Sequence, residues 1–324
     1  MSKALGLLSG GLDSSLAAMC LKRQGVDVTA IAFVTPFFGA GKARRAAEKI
    51  GIPLLVRDIG EVHLEMVKRP HYGYGKNLNP CIDCHAMMFR IAGEIMTEQG
   101  FDFLFSGEVL GQRPMSQNLS ALGAVAKHSG HAARILRPLS ARLLPETRME
   151  SEGRVDRAQL LDIKGRTRRR QGILATEWGL SDYPASGGGC LLTEKHFCDR
   201  LRDLFTHQPD CNISDVELLK IGRQFRLSAH AKLALGRNQE DSAALVAAAR
   251  DHDFILHTPR LAGPVGVVSG TPDDADLYAA GAILASYSRG KELPQVEIAA
   301  AAGDQERLFL VTPAPRSASE KLLL

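Results

Sequence analysis

Residues 3–15 constrain this chain more than any other stretch. A short apolar run, Lys3-Ala-Leu-Gly-Leu-Leu8, ends in Ser9-Gly10-Gly11-Leu12-Asp13-Ser14-Ser15, and an alanine- and leucine-rich segment opens at Leu16. That is the pattern of a buried strand, a tight turn and a helix N-terminus. Glycine lets the backbone approach a ligand closely, and the first amides of a helix have no internal partners. Backbone donors, hydroxyls and the positive end of the helix dipole therefore converge where the strand ends, which suits a phosphate. Capping needs one Ser or Asp, whereas this turn places two glycines, three serines and an aspartate in seven residues. No Gly-Lys-Ser/Thr closes it, so it is not a Walker A loop.

The next segments repeat the alternation. Val28–Phe33 reads as a strand, Lys42–Ile50 as a helix, and residues 53–56 and 101–105 as further strands. Gly39-Ala-Gly-Lys42 imitates a nucleotide loop, but Ala43 stands where Ser or Thr belongs, so Lys42 is read as a helix start. An α/β fold with a doubly wound parallel sheet is expected, with ligands bound beyond the carboxyl ends of the strands. A smaller α+β module begins near Asp215, with strands at 219–227, 232–236, 254–257 and 265–268 and helices at 240–249 and 273–288. The domains read as 1–180, a 181–214 linker that carries Cys190, and 215–324, with a frayed tail after Pro313. A length of 324 residues with 45% hydrophobic content fits two such domains. The net charge of +4 is too slight to imply nucleic acid by itself. The strand at Lys3 leaves no room for a leader, and no apolar run nears the ~20 residues of a membrane helix, so no membrane partner and a cytoplasmic location are expected.

Of six cysteines, Cys81 and Cys84 form a Cys-x-x-Cys pair followed by His85 and a helix over 86–96. Such a pair chelates a metal or works as a redox dithiol. Cys190 follows Ser186-Gly187-Gly188-Gly189, where glycine permits close approach. Cys20 reads as core, and Cys198 and Cys211 show no ligand spacing.

The turn at Ser9 resembles the SGGxDS signature of the PP-loop ATP pyrophosphatases, which split ATP into AMP and pyrophosphate. The resemblance implies an adenine nucleotide alpha hydrolase-like fold, with Ser9, Gly10, Gly11, Ser14 and Ser15 on the pyrophosphate portion of ATP and Asp13 placing Mg2+. Met87–Ala92, then Gly107-Glu108-Val-Leu-Gly-Gln112 with Ser116-Gln117, then Ile135–Leu139 resemble the catalytic domain of tRNA 4-thiouridine synthetase, in the same order. Gly107, Glu108, Gln112, Ser116 and Gln117 carry over to the adenylation site, with Phe33 as a further nucleotide-binding candidate. The Gly189-Cys190 segment resembles the tRNA 2-thiouridylases. Cys81, Cys84 and Cys190 together resemble the iron–sulfur branch of the thiouridine synthetases, which implies a [4Fe-4S] cluster held by three cysteines. Two other readings of the triad stay open: a persulfide on one cysteine resolved by Cys190, and a zinc site with His85 as fourth ligand.

Two features point to RNA. Lys164, Arg166, Arg168, Arg169 and Arg170 form a dense basic run, which by itself reads as a solvated face and, beside the thiolation resemblance, as a phosphate-contacting helix. Gly236-Arg237-Asn238, Asp253–His257 and Ser286-Tyr287-Ser288 resemble the RNA-binding NFACT-R domain, which makes Arg237 a candidate contact along with Arg223, Arg226, Lys232 and His257. The THUMP domain usual before the turn in the thiouridine synthetases has no counterpart here, nor has the rhodanese-like domain of some members. The resemblance therefore implies ATP-dependent thiolation of a tRNA uridine, with tRNA gripped by the basic run and the C-terminal module. Its sulfur donor is sulfide or a persulfide-carrying protein. Two alternatives remain: adenylation of a small non-RNA substrate, and a non-enzymatic RNA-binding protein on a decayed scaffold.

Overall fold

Lys3–Leu7 forms β1 at the centre of a parallel sheet, because side chains on both of its faces are apolar. The computed structural model describes residues 1–184, 189–303 and 305–324, in two units, Met1–Thr193 and Glu194–Leu324. Cys190 belongs to the first unit, so the expected 181–214 linker divides between the two.

In the first unit β1 is followed by α1 (Leu12–Lys22), β2 (Asp27–Val34), α2 (Gly41–Ile50), β3 (Leu54–Asp58), α3 (Gly60–Lys68), α4 (Cys81–Gln99), β4 (Phe103–Ser106), α5 (Leu119–Ser129), β5 (Ile135–Leu136), α6 (Arg148–Ser151) and α7 (Arg169–Glu177). The strands are parallel in the order β3-β2-β1-β4-β5. The chain winds outward from β1 through β2 to β3, then returns to the other side of β1. The order thus reverses between β1 and β4, the switch point where an open α/β sheet leaves a crevice. Alternate residues of neighbouring strands build two core layers. Ala4, Phe103 and Phe105 pack with Leu16 and Leu21 of α1, whereas Leu5, Ile31 and Leu104 pack with Phe89 and Met96 of α4.

The second unit contains α8 (Lys195–His207), α9 (Ile213–Leu218), β6 (Arg223–Arg226), β7 (Ala231–Leu235), α10 (Gln239–Ala248), β8 (Phe254–His257), β9 (Gly266–Gly270), α11 (Asp274–Ser286), β10 (Val296–Ala302), β11 (Gln305–Val311) and α12 (Arg316–Glu320). Its antiparallel sheet runs β11-β10-β8-β9-β7-β6. Leu277, Ile283 and Leu284 of α11 close the core against Leu233, Val268 and Ile298.

Two expectations are corrected here. The strand read at 219–227 shrinks to β6, because the amides of Leu219, Lys220 and Ile221 donate back to Val216 O, Glu217 O and Leu218 O at 3.2, 3.1 and 3.3 Å, and Gly222 turns the chain with φ +69°. The tail after Pro313 is docked rather than frayed: the amide of Arg226 donates to Leu322 O at 2.9 Å, and that of Leu324 to Gln224 O at 2.9 Å.

Candidate active site

The Ser9 turn lies at the carboxyl end of β1. Gly11 caps α1 in extended backbone without a side-chain acceptor, which leaves the first-turn amides for another partner. Ser9 Oγ lies 3.3 Å from Ser14 Oγ, and the Ser14 hydroxyl donates to Gly11 O at 3.0 Å. Gly10 has φ +76°, and a Cβ there would lie 2.3 Å from the Lys42 backbone. The turn is therefore pressed against the N-terminus of α2, and only glycine fits. Lys42 is the second residue of α2, as its sequence context predicts. Gly10, Ser15, Lys42, Arg45 and Lys49 line a cavity of about 130 Å3 with Asp182 and Tyr183. Its lining is rich in cations, as an anion site requires.

The loop after β4 reaches the same place. A Cβ at Gly107 would lie 2.4 Å from Ser14 N, so this glycine lets two loops touch backbone to backbone. Gln112 Nε2 donates to Asp13 Oδ2 at 2.7 Å, and Gln171 Nε2 donates to Gln112 Oε1 at 3.2 Å. Arg168 Nη2 lies 3.1 Å from the same Asp13 oxygen. Among the described residues, Asp13 Oδ1 is buried without a hydrogen-bond partner, as is Gln117 Oε1. Ser116 and Gln117 are buried, and Gln117 O accepts from the Gly111 amide at 2.7 Å, which shapes the loop.

Glu108 is 4% exposed and faces three partners. His85 Nδ1 is 2.7 Å from Oε1, while Arg137 Nε at 2.9 Å and Ser106 Oγ at 3.1 Å donate to Oε2. Burial by itself would raise its pKa, but Arg137 and His85 outweigh burial and hold it at about 2. Glu108 thus ties the first turn of α4, where His85 sits, to the loop that touches Asp13 and Ser14.

Cys81 and Cys84 occupy that first turn of α4. Cys84 is partly buried, and burial pushes its thiol pKa well above the ordinary value; Cys190, Cys81 and Asp83 push it further. The three cysteines are therefore electrostatic neighbours. His63 Nε2 lies 3.3 Å from Cys84 Sγ, and burial lowers the His63 imidazole to about 4, so it is neutral. Asn79 Nδ2 donates to Cys81 Sγ at 3.4 Å. Cys190 reaches the site because the Leu191 amide donates to Phe37 O at 3.0 Å, and the Phe37 ring packs on His63 at 5.6 Å. Ser186, Gly187 and Gly188 lie outside the described residues. Among the described residues no group of three or more His, Cys, Asp or Glu is arranged to hold a metal ion.

Ser9, Gly10, Gly11, Asp13, Ser14, Ser15, Gly107, Glu108 and Gln112 thus meet at the switch point. Phe33 is instead 5% exposed in the core with Leu5 and Phe89. Within the basic run only Arg169 and Arg170 enter α7, while 164–168 precede it; Arg170 pairs with Asp162 at 2.8 Å. Arg237 in the second unit pairs with Asp241 at 2.6 Å. His85, considered above as a zinc ligand, has Nδ1 committed to Glu108. Sequence reasoning missed His63 and Gln171, and it took Arg137 only as part of the Ile135–Leu139 segment without giving it a role.

Residues 1–142 match the family model described as Thiamine biosynthesis protein (ThiI). That match lies wholly within the first unit. Residues 222–322 match the NFACT protein RNA binding domain. The chain is 31% identical over 213 residues to a tRNA-specific 2-thiouridylase of Methylobacterium nodulans, across 59% of this chain and 52% of that protein. It is 31% identical over 144 residues to a probable tRNA sulfurtransferase of Staphylococcus aureus, across 42% of this chain and 34% of that one. The chain thus spans about half of the first relative's length and a third of the second's. A solved 4-thiouridine synthetase–RNA complex with bound ATP is 24% identical, covering 67% of this chain and 52% of its own, with a TM-score of 0.37. Among the described residues no helix is long and apolar enough to cross a membrane.

Proposed function

We propose that this chain uses ATP to activate a carbonyl oxygen of a tRNA uridine and replaces that oxygen with sulfur. One observation carries the reading. The phosphate-type turn and the three-cysteine set meet at one switch point, bridged by His85, Glu108 and Gly107. A turn for splitting ATP needs no thiols, and a thiol site needs no ATP; thiolation of an unreactive carbonyl needs both.

The uridine carbonyl oxygen attacks the α-phosphorus as the N3 proton leaves, and the bond to the bridging oxygen breaks. Pyrophosphate departs into the amides of Gly10 and Gly11 and the hydroxyls of Ser9, Ser14 and Ser15. Hydrosulfide then adds to the activated carbon. AMP leaves with the former carbonyl oxygen, and the sulfur-borne proton moves to N3. Without adenylation the leaving group would be oxide, which does not leave.

Magnesium fits beside Asp13, whose buried Oδ1 has no partner among the described residues; bound there, it would neutralise charge developing on the phosphates. The donor chemistry of Cys81, Cys84 and Cys190 suits a [4Fe-4S] cluster, and Cys81 and Cys190 both bear electrostatically on Cys84. Held by three cysteines, such a cluster supplies an iron with an open position for sulfur. The tRNA would be gripped through Lys164, Arg166, Arg169 and Arg170, with the NFACT-R-type unit and its Arg237.

Pyrophosphate release should rise with tRNA and sulfide present. Stimulation by a small carboxylic acid and not by tRNA would overturn the reading. Anaerobically purified protein should carry iron and sulfide, and an iron-free, colourless product would remove the cluster. Cys190→Ser is expected to keep tRNA-stimulated pyrophosphate release while thiouridine in digested tRNA falls at least tenfold by mass spectrometry. Undiminished thiouridine would take Cys190 out of sulfur transfer.

A further inference from the structure

The segment between α3 and α4 holds a feature that the chemistry above does not use. His71, Tyr72 and His128 form an exposed aromatic cluster. Tyr72 packs edge-on against His71 at 4.8 Å and 85°, and against His128 at 5.2 Å and 90°; His71 and His128 are 5.3 Å apart. All three are exposed, Tyr72 by 41%. Exposed Arg69 and Lys76 flank the pair in sequence, and exposed Lys127 precedes His128.

The cluster is fixed to the sulfur site. Asp83, between Cys81 and Cys84 in sequence, accepts the amides of His71 at 3.1 Å and Tyr72 at 3.0 Å. Further along the same loop, Asn77 Nδ2 donates to Thr193 O at 2.7 Å, next to the segment that carries Cys190. Asn79 Nδ2 reaches Cys81 Sγ. One loop therefore buttresses the cysteines and presents aromatic faces to solvent.

We propose that His71, Tyr72 and His128 form a stacking platform for unpaired bases of the RNA next to the target uridine. This rests on the RNA-thiolation reading. A uridine whose carbonyl is to be attacked must leave the base stack, which exposes the faces of its neighbours. Aromatic rings cover such faces with little regard to sequence, while flanking cations meet the phosphates. Exposed rings with exposed Arg and Lys close by in sequence, on a loop tied to the cysteine turn, suit single-stranded RNA better than a protein partner, whose contact core is depleted in charge.

The test uses the full chain and labelled tRNA. Tyr72→Ala is expected to weaken tRNA binding about tenfold, the loss of one stacked base, while binding of a non-hydrolysable ATP analogue stays at the wild-type value. Tyr72→Phe keeps the ring and should bind tRNA like wild type. A thermal melt of each variant confirms the fold. Wild-type tRNA affinity in Tyr72→Ala overturns the proposal, as does a Tyr72→Phe loss equal to that of alanine. Normal tRNA affinity in Tyr72→Ala with slower sulfur transfer would assign the platform to a donor protein and overturn it too. If the wild type binds the ATP analogue but no tRNA, the RNA-thiolation reading falls and takes the platform with it.

Discussion

Asp13→Ala is expected to lower tRNA-stimulated pyrophosphate release by about two to three orders of magnitude, the usual scale for losing an electrostatic element of a transition state. Asp13 sits in the first turn of α1 with Oδ2 held by Gln112 and Arg168, while Oδ1 is buried without a partner among the described residues. Placed this way, a carboxylate directs one oxygen at a cation and uses the other to hold its own orientation. Asp13→Asn preserves the shape and the bond from Gln112 but removes the charge, so it should lose nearly as much. Wild-type turnover in Asp13→Asn would show that no cation is held there. Arg168→Ala bears on the same point. Its guanidinium faces Asp13 rather than an open basic surface, so the substitution should raise the KM for ATP up to about tenfold and leave tRNA affinity alone. Loss of tRNA affinity with an unchanged KM for ATP would return Arg168 to the RNA contacts.

Glu108→Ala is expected to destabilise the protein by about 3–5 kcal/mol, the cost of leaving a buried partner charge uncompensated. That partner is Arg137, 8% exposed. Domains are stable by about 5–15 kcal/mol, so this variant should melt far below wild type. A pH series tests the cause. The folded-state pKa of Glu108 is about 2 against an ordinary 4.5, which corresponds to about 3 kcal/mol of stability. Because the folded value is the lower one, this stability is fully present above about pH 4.5 and drains away as pH falls toward 2. Glu108→Gln should lack this contribution, so its melting temperature should approach that of wild type as pH falls from 5 to 3. Equal melting temperatures for the two at pH 7 would sink the assignment.

What the sequence determined by itself was local. The Ser9–Ser15 turn joins a strand and a helix that are consecutive in the chain, and Cys81 and Cys84 share one helical turn. Motifs of this kind are legible because their geometry is set within a few residues by glycine freedom, helix periodicity and unpaired amides. The alternation of strands and helices also fixes a parallel sheet, since parallel neighbours require crossovers.

The tertiary structure decided which of those local pieces meet. Gln112 reaches Asp13 across 99 residues, Arg137 reaches Glu108 across 29 and His63 reaches Cys84 across 21. None of these pairs leaves a pattern in the chain, because each depends on β4 returning to lie beside β1 and on α3 and α4 packing at the same edge. The same long-range closure turned Arg168 from a member of a basic run into a partner of Asp13, and placed Phe33 in the core. A charge run looks the same in sequence whether it faces solvent or a carboxylate. Only the fold supplies the carboxylate.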